Sequence, residues 1–214
     1  MKEEATTRQS RIRARSAERR AQRRDDLRRT ILTAAVDLFE REGYEGFSLR
    51  QVAEAIGYSA TTIYLHFSDK DDLLHHVALE GFRSFGQELQ AAFDETSGAL
   101  TRLAAIGRAY LRFGVTHPVH YRLMFMARPE LLTRPAPAGY ECVTDSFGVL
   151  QRAVEEGLAS GELRAAPVEV YTTFLWASVH GLVSLHLATP SFPADQLESL
   201  WVQHMEVTAR GLRP

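Results

Sequence analysis

Cysteine, long apolar runs and strand-like alternation are scarce or absent in this sequence of 214 residues. The single cysteine, Cys142, excludes an intrachain disulfide and a multi-cysteine metal cluster, and it favours a reducing compartment. No apolar run approaches the roughly 20 residues of a membrane-spanning helix, and the first residues lack the apolar stretch of a secretory signal. Runs in which apolar and polar residues alternate are also missing. We therefore predict a cytoplasmic, all-α protein with no membrane partner.

Lysine is scarce as well, because only Lys2 and Lys70 occur and arginine carries most of the positive charge. Residues 1–24 hold nine basic side chains against three acidic ones, so this segment is +6, although the whole chain is -2. We predict that residues 1–24 form a basic arm that is disordered in isolation and whose charge suits a polyanion. The alternative is a solvated solubility tail. A membrane anchor is disfavoured, because only Ile12 and alanines are available for an apolar face.

Apolar residues recur at spacings of three and four along the rest of the chain, which predicts amphipathic helices. With 45% hydrophobic residues, these helices can bury a sizeable core. Glycines, prolines and capping residues indicate about nine helices, placed at residues 25–42, 48–57, 59–66, 69–93, 100–113, 118–128, 140–160, 167–188 and 193–210. A more apolar second half predicts two domains, 25–86 and 87–214.

The third predicted helix has few apolar residues and a dense row of hydrogen-bonding side chains, which indicates an external partner. Joined to the second helix by "IGYS", it predicts a helix-turn-helix motif at residues 48–67, a unit that can enter the DNA major groove. The stretch "GFSLRQVAEAIGYSATTIYLHFSDKDDLL" resembles the DNA-binding domain of the tetracycline-repressor (TetR) family of bacterial regulators, over about residues 26–85. The matching positions are Ser48, Val52, Ala53, Gly57, Ser59, Tyr64, His66, Phe67, Lys70 and Leu73.

The resemblance implies which residues contact DNA. It implies phosphate contacts for Ser48, Tyr64 and Lys70. It implies contacts to bases or adjoining phosphates for Arg50, Thr61, Thr62, Leu65 and His66, and the predicted DNA-binding set also includes Ser59. The chemistry agrees, because arginine can bind guanine O6 and N7 and a threonine methyl group suits thymine, although a solvated helix residue is the alternative for Arg50. Thr61 stands near a position where many relatives have glycine or proline, which changes how closely this helix approaches the bases.

The second domain, with "HPVHYRLMF" and "WASVHGLVSL", resembles a TetR subgroup with a Trp-x-x-x-His-Gly signature, here Trp176, His180 and Gly181. The resemblance implies that the last two helices pair with those of a second subunit and that a small apolar or amphipathic effector binds between helices. Our predicted homodimer interface consists of Trp176, Gly181, Leu185, Leu200 and Val207. Our predicted effector pocket consists of Tyr110, Phe113, Tyr121, Phe125, Phe147, Trp176 and His180, although packing in the core is the simpler interpretation for most of them.

Two arrangements are weaker candidates for chemistry. His117 and His120 are three residues apart, as some metal ligands are, but Pro118 and the lack of nearby carboxylates disfavour a metal site. Nothing aligns a base or oxyanion donors with Cys142, so we predict no enzyme, no metal and no cofactor. The predicted function is a repressor that binds a palindromic double-stranded DNA operator as a homodimer and is released by a small-molecule effector. The alternative is an all-helical small-molecule-binding protein or enzyme with a vestigial DNA-binding domain.

Overall fold

The structure, a computed structural model, describes residues 2–126, 129–135, 137, 140, 145–189, 192 and 194–214, with the backbone alone described for 2–12, 129, 194 and 195. Within these residues the chain is helical and contains no strand, so the predicted all-α fold with nine α-helices is confirmed. The helices are α1 (Lys2–Gly46), α2 (Leu49–Ala55), α3 (Ala60–Tyr64), α4 (Lys70–Asp94), α5 (Ala99–Thr116), α6 (Pro118–Phe125), α7 (Ser146–Ala159), α8 (Val168–Ala188) and α9 (Ala194–Leu212).

The chain forms two compact units, residues 1–77 and 78–214, and helix α4 contributes residues to both. In the first unit, the apolar face predicted for the first helix is the core, because Ile31, Ala35 and Leu38 are buried. Gly43 interrupts α1 with a φ of 67°, which agrees with its predicted role in ending the helix. A left-handed residue at that point lets the chain turn toward α2.

Residues 2–24, for which the sequence predicts a basic arm that is disordered in isolation, form the first part of α1 in the structure. The sequence of this segment consists mainly of arginine, glutamate, glutamine and alanine, which all have high helix propensity. The packed part of α1 supplies the costly first turn, so each further residue adds a hydrogen bond without a new nucleation step.

The turn between α2 and α3 is specified by local sequence. Ser48 caps α2 by accepting a hydrogen bond from the backbone N–H of Gln51, and Ser59 caps α3 by accepting one from Thr62. At the end of α2, the N–H of Tyr58 donates to the carbonyl of Ala53 at 2.9 Å, while Gly57 has a φ of 72°. This is the Schellman arrangement, in which a left-handed glycine satisfies the last carbonyl groups.

The second unit is built around α5, whose buried residues include Leu103, Ile106, Tyr110 and Phe113. Two glycines allow close approach to α5, because a Cβ at Gly107 would overlap the indole ring of Trp201. A Cβ at Gly114 would likewise overlap the side chain of Val183 on α8. These α5 positions therefore require glycine.

Several helix boundaries in the second unit differ from the predicted ones. Helix α7 begins at Ser146 and not at residue 140, and residues 141–144 lie outside the described part of the chain. Pro118 is the first residue of α6, as predicted, whereas Pro167 is the residue that precedes α8. A short 3-10 helix, Pro129–Thr133, lies in the proline-rich stretch that the sequence predicts to be a loop. In the described residues, no helix is long and apolar enough to cross a membrane.

Candidate DNA-binding surface and apolar cavity

Helix α3 is anchored by its apolar side and exposes its polar side. Ile63 and Phe67 are fully buried, so they fix the helix in the first unit. The opposite side presents Tyr64, which is 53% exposed, and Leu65, which is 76% exposed. Tyr58, Tyr64 and Leu65 are all exposed within eight residues, so large apolar and aromatic side chains are concentrated at the helix-turn-helix. The exposed side of α3 therefore has the character of a binding surface.

The predicted hydroxyl residues already have partners within the motif. Ser48 Oγ lies 2.9 Å from Gln51 Oε1 and 3.4 Å from the backbone N of the same residue. Ser59 Oγ lies 2.9 Å from Thr62 Oγ1, so these two predicted contacts belong to one hydrogen-bonded pair, while Thr61 is exposed. Each hydroxyl has one donor and two acceptor positions, which leaves capacity for a further partner. The caps thus position the motif and still present polar atoms.

Arg50 is exposed on α2, one residue after the buried Leu49. Within the described residues, its guanidinium has no hydrogen bond or ion pair. An arginine without an internal partner retains all five N–H donors in a planar fork, which is the geometry that matches guanine or a phosphate. The structure is therefore compatible with the predicted contact.

Lys70 has an internal role that the sequence did not indicate. Its Nζ donates to the backbone carbonyl of Tyr44 at 2.6 Å and lies 3.9 Å from the centre of the Tyr44 ring. Lys70 therefore joins the start of α4 to the end of α1. An ammonium has three donors, so a phosphate contact remains compatible with this geometry, but a substitution of Lys70 also removes a structural contact.

His66 is half-buried and lies near two arginines of α1. Burial lowers the pKa of His66 below its ordinary value, and the positive charges of Arg24 and Arg28 lower it further. The guanidinium of Arg28 also lies 4.7 Å above the ring of Phe67. The imidazole of His66 is therefore neutral at neutral pH and offers one donor and one acceptor. Arg24 and Arg28 of α1 therefore lie close to the helix-turn-helix within the first unit.

The second unit contains a partly open cavity of about 240 Å³. Four of the predicted pocket residues line it, namely Tyr110, Phe125, Phe147 and Trp176. The predicted set contains none of the other lining residues, which are Phe82, Phe85, Leu89, Leu103, Ile106, Gly107, Ser146, Leu150, Leu175, Val179 and Trp201. The helical spacing of these residues indicates burial, but that spacing is the same for a residue in a filled core and one beside a void.

Three predicted pocket residues lie outside the cavity wall. Phe113 is fully buried and packs against Phe85, with ring centroids 5.0 Å apart. Tyr121 and His180 form a cluster with Tyr110, because both hydroxyls lie within 3.0 Å of His180 Nδ1 and within 3.1 Å of each other. Phe113, Tyr121 and His180 therefore lie behind the residues that line this cavity.

The hydroxyl–imidazole cluster is uncharged. Burial raises the pKa of Tyr110 above its ordinary value and raises the pKa of Tyr121 to about 12. Burial also lowers the pKa of His180. Each shift disfavours the charged form, so all three groups are neutral at neutral pH.

The residues predicted for the dimer interface differ in exposure. Leu185 is 53% exposed and Val207 is 70% exposed, while Leu200 is half-buried. No atom lies within 4 Å of a Cβ built on Gly181, so this position faces open space in the single chain. Trp176 is 37% exposed and also belongs to the cavity wall. Helices α8 and α9 therefore carry apolar residues that the single chain does not cover.

The weaker candidates for chemistry gain no support. The rings of His117 and His120 lie 5.8 Å apart, but the described residues contain no group of three or more histidine, cysteine or acidic side chains that is able to hold a metal ion. Burial is the main cause that lowers the pKa of His120 to about 4, followed by the neighbouring His117. Cys142 lies outside the described residues.

Two family profiles match the chain. The profile of bacterial regulatory proteins of the tetR family matches residues 31–77, and the profile of the tetracyclin repressor-like C-terminal domain matches residues 103–208. Each matched range lies within one of the two units. The first contains the helix-turn-helix, and the second contains most of the helices around the cavity.

Individual relatives extend over both units. The HTH-type transcriptional regulator Rv1816 of Mycobacterium tuberculosis is 25% identical over 199 residues, which covers 78% of this chain and 85% of that protein. The HTH-type transcriptional activator FasR of Mycolicibacterium smegmatis is 27% identical and covers 68% of this chain and 67% of that protein. A solved structure of a tetR-family regulatory protein from Rhodococcus RHA1 has a TM-score of 0.68 at 21% identity, covering 87% and 96% of the two chains, and so shares the fold.

Proposed function

This chain belongs to the tetR family of DNA-binding transcriptional regulators, and we propose that it is a repressor that binds a palindromic operator as a homodimer and is released by a small-molecule effector. One observation carries the proposal: an exposed polar and apolar surface lies on the second helix of a capped helix-turn-helix. Such a helix inserts its exposed side into the major groove, while flanking residues hold phosphates. We assign base contacts to Thr61 and Leu65 on this surface and to Arg50 on the neighbouring helix α2.

The homodimer follows from the uncovered residues of α8 and α9. Val170, Phe174 and Leu185 on α8 are each at least half exposed, and Val207 on α9 is more exposed still. Apolar side chains that are uncovered on two neighbouring helices favour a second copy as the partner, because a closed dimer buries the same surface twice. Two recognition helices related by a two-fold axis then match a palindromic operator.

Substitution of Gly181 by leucine tests this interface. The single chain leaves open space at Gly181, so the added side chain does not disturb the fold of one protomer. We expect Gly181→Leu to shift the dimer toward monomer at micromolar concentration while the helical content stays constant. Sedimentation velocity and circular dichroism provide the two measurements. Ala91→Leu, at an exposed position of α4 outside the proposed interface, is the control and should remain dimeric. A monomeric wild-type protein would rule out the interface.

A repressor needs fewer binding surfaces than an activator does. A dimer that occupies an operator blocks polymerase by its presence, whereas an activator also needs a surface that recruits polymerase. The relative FasR is named an activator, so the sign of regulation is not a property shared by all relatives. An effector releases DNA only if it binds more tightly to a form with mismatched recognition helices. The cavity in the second unit is the place we assign to that effector.

Binding to DNA from upstream of the protein's own gene is the direct test. In a fluorescence anisotropy titration at fixed salt, we expect saturable binding that is at least about a thousandfold tighter than to scrambled DNA. Equal affinity for both DNAs would contradict the proposal that the protein is a sequence-specific regulator. That result would favour the second candidate, a small-molecule-binding protein with a vestigial DNA-binding unit, because the cavity would remain.

Arg50→Ala tests the base contact. We expect a loss of about 1–3 kcal/mol of binding free energy, confined to operators that keep one particular base pair, because a bidentate arginine discriminates guanine by that amount. The measurement is anisotropy with a set of single-base operator variants. Arg41→Ala, an exposed arginine of the same unit outside the predicted surface, is the control and should not change base preference. If Arg50→Ala weakens operator and random DNA equally, the residue contacts only phosphate.

A further inference from the structure

The wall of the cavity has a distinctive chemistry. Of the described residues that line it, none has an acidic or basic side chain, and only Tyr110, Ser146 and the two tryptophans contribute polar atoms. An ion that enters such a site loses its hydration without gaining a partner of opposite charge. The wall therefore selects against both anions and cations.

The polar groups of the wall are largely satisfied by the protein. The indole N–H of Trp201 donates to the carbonyl of Ala104 at 3.1 Å. The hydroxyl of Tyr110 is bonded to Tyr121 at 3.1 Å and to His180 at 3.0 Å. Trp176 also hydrogen-bonds to this hydroxyl, so the one donor and two acceptor positions of Tyr110 are filled. The hydroxyl of Ser146 has no hydrogen-bond partner among the described residues, so it matches a single hydroxyl group of a ligand.

Trp201 limits the depth of the cavity. Its indole is 2% exposed, and it separates the cavity from a groove on the surface between α5 and α9 that is lined by Leu100, Arg108 and Met205. Gly107 leaves room for the ring, and the hydrogen bond to Ala104 fixes its orientation. A long chain therefore cannot extend through this wall to reach the arginines of the groove.

We propose that the effector is a compact, uncharged, mainly aromatic or hydrocarbon molecule with one hydroxyl group. The proposal rests on the assignment of this cavity as the effector site. The volume of about 240 Å³ is slightly below the roughly 300–1,000 Å³ of sites for drug-sized ligands, which also indicates a small molecule. Para-tert-butylphenol, para-tert-butylbenzoate and para-tert-butylbenzylamine form a test series of similar shape that is neutral, anionic and cationic at neutral pH. Palmitate represents a long anionic chain.

The chain has two tryptophans, Trp176 and Trp201, and both line the cavity. Intrinsic tryptophan fluorescence of the full-length protein without DNA therefore reports ligand entry directly. We expect saturable changes with the phenol and at least about tenfold weaker binding of the benzoate, the benzylamine and palmitate. Tighter binding of any charged probe than of the phenol, or no saturable binding of the phenol, would overturn the proposal.

Two phenylalanine substitutions locate the binding. Val179 lines the cavity, so Val179→Phe fills part of it and should weaken phenol binding by about tenfold or more. Leu132 is exposed outside the cavity and outside the proposed interface, so Leu132→Phe should leave binding unchanged. Equal affinity in both variants would place the phenol elsewhere and overturn the proposal. Circular dichroism establishes that both variants are folded.

Ser146→Ala tests the hydrogen bond. The substitution removes only the hydroxyl that faces the ligand and leaves the 2.7 Å contact between Tyr121 and His180. We expect about threefold to tenfold weaker binding of the phenol, whereas tert-butylbenzene, which has no hydroxyl, should bind both proteins equally. An equal loss for both compounds would contradict the assigned hydroxyl contact.

DNA binding is measured separately, so a wrong effector class can be distinguished from a wrong assignment as a repressor. If the operator is bound but none of the neutral probes changes tryptophan fluorescence, the effector class is wrong and the regulator remains. If the phenol binds but the chain has no specific DNA affinity, the effector class survives and the repressor does not. Release of operator by the phenol in wild type, but not in Val179→Phe, would support both.

Discussion

Removal of residues 1–22 is expected to weaken binding to operator and random DNA alike, by about a hundredfold to a thousandfold at physiological salt. The deletion removes seven basic and three acidic side chains from each protomer. In the structure these residues belong to α1, and the described side chains from Arg13 to Arg24 are almost all exposed. No carboxylate in the described residues forms an ion pair with the six arginines in this range. We propose that this helical arm contacts DNA phosphates.

The expected loss comes from counterion release. Each neutralised phosphate contributes about 0.9 to the slope of log affinity against log salt concentration. If each arm contacts about two phosphates, a dimer that lacks both arms should show a slope smaller by about three to four. Titrations at several salt concentrations measure this slope. The preference for operator over random DNA should change little, because phosphate contacts do not read sequence.

A matched variant separates charge from the presence of the helix. Replacement of Arg13, Arg15, Arg19 and Arg20 by glutamine removes four charges per protomer. Glutamine has a helix propensity similar to that of arginine, so α1 should keep its length. This variant should reproduce most of the loss caused by the deletion. If the truncated protein has the affinity and the salt slope of the intact protein, the arm is a solubility tail.

Trp201→Ala is expected to lower the free energy of unfolding by about 3–5 kcal/mol, the largest stability effect that we anticipate for a single substitution. The indole is fully buried, lies in the space left by Gly107 and donates to the carbonyl of Ala104. Its removal leaves a cavity and removes a second hydrogen bond from the carbonyl of Ala104, which lies inside α5. The substitution also joins the cavity of the second unit to the groove between α5 and α9.

Chemical denaturation at a fixed protein concentration measures the effect, because the stability of a dimer depends on concentration. Trp201→Phe keeps an aromatic ring and should lose less than half as much stability. Gln203→Ala, at an exposed position of the same helix, should be nearly neutral. A loss below about 1 kcal/mol in Trp201→Ala would show that the surrounding helices collapse into the vacated space.

The helix-turn-helix was predictable because its signals are local. Ser48 and Ser59 cap helices through a backbone N–H three residues later, and Gly57 supplies the left-handed turn between them. Such interactions depend on neighbours in sequence, so the pattern alone is informative. The resemblance then supplied candidate contacts, such as Arg50 and Tyr64, that the structure leaves exposed.

Other assignments required the tertiary structure. Lys70 fits the motif as a phosphate contact, but only the folded chain shows that its ammonium also reaches the carbonyl of Tyr44. The basic arm looks disordered by composition, but α1 extends through it. In both cases the deciding partner is supplied by another part of the fold, which the local sequence does not specify.

The sequence by itself determined that this protein is helical, which segment carries the DNA-binding motif, and where most helices begin and end to within a few residues, the starts of α1 and α7 excepted. Tertiary structure alone decided which buried residues border empty space. Tyr110 and Phe113 are three residues apart on one face of α5, and the ring of Phe85 packs against both. Only Tyr110 lines the cavity, because the ring of Phe113 is also covered by the stacked ring of His117. Hydrophobic periodicity indicates that a side chain is buried on folding. Whether it meets another side chain or a void depends on the shapes of helices distant in sequence.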